Sequence, residues 1–184
     1  VRDRDASAIK EATALQATYG ELAPQDVIAA ALNRFWTGEI AAVSSFGADS
    51  AVLLHMIAAV DKTVPIIFLD TGKHFGETLD YRDRLVADLG LTDLKVVHPL
   101  DAALEAGDPD GLLHKADTDA CCDIRKVEPM ARAVEPYRAW FTGRKRFQAD
   151  TRASLAAFEA AGPRIRINPL AAWTAEQLGD YMRA

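Results

Sequence analysis

The segment from Ile40 to Val60 constrains this chain more than any other. A short apolar run, Ile40-Ala-Ala-Val43, opens onto Ser44-Ser-Phe-Gly-Ala-Asp-Ser50, and Ala51 to Val60 follows with the spacing of a buried helix. That order is strand, tight turn, helix. A turn of Ser, Gly and Ser at a helix start presents hydroxyls and unpaired backbone N–H groups, and the helix dipole adds a favourable field for an anion. The same residues also suit a plain cap, in which Asp49 or Ser50 closes the helix and binds nothing.

The other segments alternate between strands and helices. Ala6 to Tyr19 and Pro24 to Trp36 carry apolar residues at helical spacing, with Pro24 suited to a first turn, and are expected to form a cap ahead of the sheet. Glu39 to Ser45 is read as the first strand, followed by the helix from Asp49 to Val60. Val64 to Leu69 is a continuous apolar run of the kind found in strands buried on both faces, and it ends in Asp70-Thr71-Gly72. A helix over Phe75 to Leu89 and a strand over Leu94 to His98 come next. Asp101 to Gly111 reads as polar and turn-rich. Ala120 to Val134 is predicted helical, with Pro129 kinking or interrupting it. Arg138 to Thr142 and Arg164 to Asn168 read as short strands, and Trp173 to Met182 as a last helix. The pattern predicts an α/β fold, a mostly parallel sheet flanked by helices on both faces with an N-terminal helical pair over about residues 1–37. A length of 184 residues suits one domain, 1–184.

Charge and composition exclude several classes. The net charge of -6 argues against a general nucleic-acid surface. No apolar run reaches the ~18 residues of a membrane span, and no signal peptide is visible. The two cysteines, unpaired and without a secretory signal, point to a reducing compartment, most simply the cytoplasm. The apolar faces of the first two helices could pack on the sheet or on another subunit, which leaves a homo-oligomer open.

Three further places concentrate chemistry. Cys121-Cys122, followed by Asp123-Ile-Arg-Lys-Val-Glu-Pro-Met130, allows three readings: two small buried hydrophobes, a strained vicinal disulfide, or half of a metal or iron–sulfur site with Arg125 and Lys126 offsetting its charge. Thr142-Gly-Arg-Lys-Arg-Phe-Gln-Ala-Asp-Thr-Arg152 is a basic loop directly after a strand. Arginine forks match phosphate or sulfate oxygens, so the loop reads as an anion clamp, or else as a solvated turn. Leu69-Asp-Thr-Gly72 is a turn at the carboxyl end of a strand, the edge where ligands sit in open α/β sheets.

Taken together these residues resemble a known family. The turn is similar to the Ser-Gly-Gly-x-Asp-Ser loop of the ATP pyrophosphatase superfamily, with Phe46 in place of the first Gly. A bulky residue there is expected to leave less room than a triphosphate needs. Leu69-Asp-Thr-Gly72, Arg125-Lys-Val-Glu-Pro-Met130, Trp140-Phe-Thr-Gly-Arg-Lys-Arg-Phe-Gln148 and Asn168-Pro-Leu170 then resemble the assimilatory phosphosulfate reductases. These reduce adenylyl sulfate or its 3′-phospho derivative to sulfite in sulfate assimilation. Cys121-Cys122 looks like the branch that carries a [4Fe–4S] cluster, typically the adenylyl-sulfate reductases.

The resemblance implies roles residue by residue. Ser44, Ser45, Phe46, Gly47 and Ser50 would line the phosphosulfate pocket, with Leu69, Asp70, Thr71 and Gly72 beside the adenosine. Arg144, Arg146 and Gln148 would close over the nucleotide. Cys121 and Cys122 would be cluster ligands, and Lys126 would lie between cluster and substrate. The family's cysteine thiolate attacks the sulfate sulfur and releases AMP, and thioredoxin or glutaredoxin then frees sulfite from the S-sulfocysteine. The family's second Cys-x-x-Cys pair and its C-terminal Cys segment are not in this sequence, so a truncated chain without its nucleophile is expected. Two other readings stand beside this one. An ATP-consuming enzyme of the same superfamily is opposed by Phe46 and the Arg-Lys-Val-Glu-Pro segment, whereas a nucleotide-binding domain without turnover fits the missing nucleophile.

Of the four histidines, His55 is expected to be a hydrogen-bonded core side chain, and His74 lies close enough to the Asp70 turn to touch substrate. Trp36, Trp140 and Trp173 are read as core packing.

Overall fold

The computed structural model describes residues 2–36, 38–150 and 153–184. Helices α1 (Arg2–Tyr19) and α2 (Pro24–Arg34) precede β1 (Ile40–Val43), α3 (Ser50–Val60) and β2 (Ile66–Leu69). Next come α4 (Gly76–Leu89), β3 (Leu94–Val97) and three short helices, α5 (Asp101–Gly107), α6 (Leu113–Ala116) and α7 (Thr118–Cys122). A π-helical turn (Asp123–Val127) joins α7 to α8 (Glu128–Val134); β4 (Ala139–Phe141), β5 (Phe158–Ala161), β6 (Arg164–Ile167) and α9 (Ala175–Arg183) complete the chain.

The six strands lie in the order β3-β2-β1-β4-β6-β5, all parallel except β5, which runs against β6. Strand order reverses between β1 and β4, so a crevice opens at their carboxyl ends. The alternation of side chains across a strand sorts the core into two layers. Ile66, Phe68, Ala139 and Phe141 face the larger one, with Ile28, Phe35, Leu54 and Ile57 of the helices and the chain beyond them. Ile67 and Trp140 face the smaller one, with Val134 and Tyr137. Helices therefore cover both faces, as the sequence pattern predicts.

Several segments differ from the sequence reading. Asp101 to Gly107 is a helix rather than open turn, because the carboxylate of Asp108 behind it accepts the Leu113 N–H at 2.9 Å and gives the segment an anchor. Pro129 does not interrupt its helix. The preceding turn widens to π geometry, with Glu128 N–H reaching Asp123 O, and this makes room for the proline ring. Strand β5 is missing from the sequence reading altogether. It pairs with β6 through Gly162-Pro163, where Gly162 takes φ 59, a left-handed value open to glycine. Its outward-facing Phe158 N–H is satisfied by Gln16 of α1 at 3.0 Å, so α1 covers the sheet edge instead of standing ahead of it. Trp36 is 79% exposed and is not core, whereas Trp140 is buried and Trp173 packs against the larger layer. His55 is exposed on α3, though hydrogen-bonded through Nδ1 to the Tyr181 hydroxyl at 2.8 Å.

Phe68 is fully buried, edge-on to Phe46 with ring centroids 5.6 Å apart and tilted over His74 at 4.9 Å. Phe68→Ala is expected to lower stability by about 3–5 kcal/mol, read from urea unfolding curves.

Candidate functional site

The turn after β1 is built from its own side chains. Ser44 is buried, and its Oγ accepts the Phe46 N–H at 3.1 Å. Phe46 takes φ 53, a left-handed conformation unusual for a bulky residue, and its ring drops into the core with 2% of its surface exposed. The expectation that Phe46 narrows the pocket is therefore corrected. The ring packs beneath the turn and leaves the cradle open. Ser45 and Ser50 face each other across the turn, Oγ to Oγ 3.4 Å. Asp49 makes no side-chain cap to α3; its carboxylate instead meets Lys145 Nζ at 3.4 Å.

Opposite stands the loop after β4. Thr142 Oγ1 donates to Asn168 Oδ1 at 2.5 Å, and Asn168 Nδ2 donates to Ala156 O and to Glu159 Oε2, each at 2.9 Å. Glu159 also pairs with Arg166 at 3.0 Å and lies 3.6 Å from Arg144 Nη1. Lys145 is 1% exposed, and its ammonium is held by Gly143 O at 3.0 Å as well as by Asp49. A buried ammonium is tolerated only with such partners. Gln148 Oε1 accepts the Lys145 N–H at 3.3 Å. Arg146 turns elsewhere, donating from Nε to Leu155 O at 2.8 Å. Thr151 and Arg152, which the sequence reading includes in this loop, lie outside the described residues.

Between turn and loop lies an open cavity of about 450 Å³, lined by Val43, Ser45, residues 47–50, residues 142–145 and Gln148. The structure thus brings Ser45, Gly47, Ser50, Arg144 and Gln148 together, and adds Asp49 and Lys145. It leaves Ser44 and Phe46 beneath the turn and Arg146 to one side. Another cavity, about 330 Å³, opens beside α1 and the start of β4, but its Arg138 and Arg164 are already spent on Glu11, Glu39 and the Tyr137 and Glu135 carbonyls.

Leu69 to Gly72 sits one strand over, at the end of β2. Asp70 Oδ1 accepts the Gly72 N–H at 2.9 Å, and Gly72 takes φ 69. Thr71 is buried, and His74 Nε2 donates to Leu69 O at 3.0 Å. From the π turn, Arg125 Nη1 donates to Thr71 O at 2.6 Å, while Nε and Nη2 bond Asp108 Oδ2 at 3.1 and 2.6 Å. Asp108 is held below the usual carboxylate value of 3.8, first by the Leu113 N–H and then by Arg125. The fork of Arg125 is committed to these partners instead of to the thiol pair. Cys121 and Cys122 end α7 as free thiols, one buried and one half-buried, as neighbouring helical positions about 100° apart require. Among the described residues no group of three or more His, Cys, Asp or Glu side chains could hold a metal ion, so the pair offers two thiols and no completed set. Lys126 is exposed and does not reach the cavity lining.

Residues 39–184 match the family described as the phosphoadenosine phosphosulfate reductase domain. The chain belongs to this family. A protein of Mesorhizobium japonicum named adenosine 5′-phosphosulfate reductase is 62% identical over 184 residues, covering 100% of this chain and 72% of its own length. One of the same name from Chelativorans is 65% identical over 175 residues, covering 95% and 71%. The crystal structure of phosphoadenylyl-sulfate reductase from Candida auris, a phosphate complex, superposes with a TM-score of 0.76 at 30% identity over 95% of this chain and 85% of that one.

In this reductase-family chain the sequence reading missed Lys145 and Asp49 as a pair, and Arg125 with Asp108. Lys145 stands between two arginines, and nothing in a run of cations tells which one turns inward. Asp108 lies 17 residues from Arg125 with no motif around it. A carboxyl held lower in the folded chain than in the unfolded one adds stability that is complete above the ordinary value and lost as pH falls through the folded value. Native protein should therefore lose stability on acidification below the ordinary carboxylate value more steeply than Asp108→Asn, read from urea midpoints at each pH.

Proposed function

We propose that this chain is the nucleotide-binding body of an adenylyl-sulfate reductase, an oxidoreductase of sulfate assimilation. The observation that carries the reading is the cavity at the β1/β4 reversal, where the hydroxyls of Ser45 and Ser50 face the cations Arg144 and Lys145. Its size and charge suit a phosphosulfate, and Leu69 to Gly72 beside it would receive the adenosine. The names of the relatives at 62% and 65% identity favour adenylyl sulfate. The Candida auris protein, named for the 3′-phospho compound, supports that compound as the second reading. Competition between the two nucleotides for the cavity decides.

In the proposed reaction a cysteine thiolate attacks the sulfate sulfur and forms an S–S bond. The S–O bond to the phosphate breaks, and AMP leaves with the electron pair. A reductant dithiol, thioredoxin or glutaredoxin, then attacks the enzyme's cysteine sulfur. Sulfite departs, and the second thiol of the reductant resolves the mixed disulfide, so two thiols are oxidised for each sulfite formed. Neither Cys121 nor Cys122 lines the cavity, so neither is assigned the attack in this reading. Arg144 and Lys145 would stabilise the negative charge that grows on the departing phosphate, as fixed cations in a partly dry site do.

Cys121 and Cys122 suit one edge of a [4Fe–4S] cluster, with Lys126 on the following turn. Bound there, a cluster would keep both thiols as thiolates and tie α7 to the elements supplying the other two ligands. Two cysteines left as free thiols favour a reducing compartment, most simply the cytoplasm. Among the described residues no helix is long and apolar enough to cross a membrane.

Two measurements test this reading. In calorimetric titration with adenylyl sulfate, Arg144→Ala should weaken binding by about 1–3 kcal/mol, and Arg146→Ala, whose guanidinium is anchored away from the cavity, should change it little. Anaerobically purified protein of natural length should contain about four irons per chain, lost in Cys121→Ser.

A further inference from the structure

Arg125 links two parts of the molecule by polar bonds, the helix end carrying the thiol pair and the strand-end turn beside the cavity. It is the buried residue of the π turn, while Asp123, Lys126 and Val127 on the same turn are exposed. The turn owes its width to Pro129, whose ring would collide with the Arg125 carbonyl in a regular helix. Widening gives the turn an extra residue per cycle. The guanidinium then enters the space between α5 and the end of β2.

There its bonds run in two directions. Nη1 donates to the carbonyl of Thr71 at 2.6 Å, and Nε with Nη2 grips Asp108 Oδ2 at 3.1 and 2.6 Å. Asp108 is fixed in turn by the Leu113 N–H at 2.9 Å, ahead of α6 and α7. Arginine presents its donors in a rigid planar fork, so the two sets of bonds are held at a set separation. A shift of the π turn must carry the Thr71 carbonyl with it, or leave a buried charge without its partner, which is costly. Thr71 is itself buried at the centre of the Asp70–Gly72 turn.

We infer that Arg125 is a positioning residue that couples the helix bearing Cys121 and Cys122 to the Leu69–Gly72 turn, so that nucleotide bound at the turn orders the thiol helix. The inference rests on the nucleotide site proposed above. It gives Arg125 a role through the Thr71 backbone, with no contact to substrate. Coupling of this kind is reciprocal, so whatever the thiol pair holds also alters nucleotide affinity.

The test is amide hydrogen exchange by mass spectrometry on protein of natural length, with and without saturating AMP. Unsubstituted protein is compared with Arg125→Lys, which keeps the charge but cannot span both partners, and with Asp108→Asn. AMP should slow exchange over residues 118–127 by about fivefold in the unsubstituted protein and leave it nearly unchanged in both variants, while protection over residues 69–72 persists in all three. Protection of 118–127 that survives in the variants, or is missing from an unsubstituted protein protected over 69–72, overturns the coupling. No protection anywhere removes the nucleotide site and the coupling with it. Should Arg125→Lys fail to fold, Asp108→Asn, which retains an acceptor for the Leu113 N–H, decides alone.

Discussion

Strand β1 is hydrogen-bonded in parallel on both sides, to β2 and to β4, and the rest of the molecule follows from that position. A strand paired on both edges and covered on both faces must be apolar throughout, and Ile40, Ala41 and Ala42 are buried. The neighbours of β1 leave in opposite directions along the sheet, so the loops that follow β1 and β4 separate and leave a crevice between them. That crevice is the cavity. Its walls are the Ser/Gly turn and the basic loop, two segments about 100 residues apart in the chain.

Polar braces then hold those walls at a working distance. Thr142, Asn168 and Glu159 form one chain of hydrogen bonds that carries the loop after β4 from the β5–β6 hairpin. Lys145 and Asp49 form the second brace, directly across the mouth. Arg125 with Asp108 and Thr71 forms a third, on the neighbouring strand end. In the first the Glu159 carboxylate is matched by the Asn168 amide and Arg166, and in the other two a buried cation, Lys145 or Arg125, is matched by a carboxylate and a carbonyl. Such pairs contribute specificity of position more than net stability, since desolvation offsets much of the attraction.

Much of this was legible in the residues. Short apolar runs bounded by turn residues placed five of the six strands. The exception, β5, reads Phe158-Glu-Ala-Ala161 and carries too little apolar content to announce itself; only Gly162-Pro163 hints at the hairpin. The turn and the basic loop were legible as candidate anion-binding segments, beside the plainer readings of a helix cap and a solvated turn, and the structure sets the two across one cavity. Phe46 was misjudged because sequence order gives no direction to a side chain, and a left-handed φ sends its ring downward.

The amino-acid sequence by itself therefore determined the class of fold, the membership of the reductase family and the two segments that line the cavity, since these depend on local composition and spacing. The tertiary structure alone decided which cation of Arg144, Lys145 and Arg146 is buried, that Asp49 pairs with it, and that Arg125 reaches Thr71 and Asp108. Those choices depend on which groups meet once water is excluded. A charge finds its partner across the fold, at separations along the chain that no local pattern records.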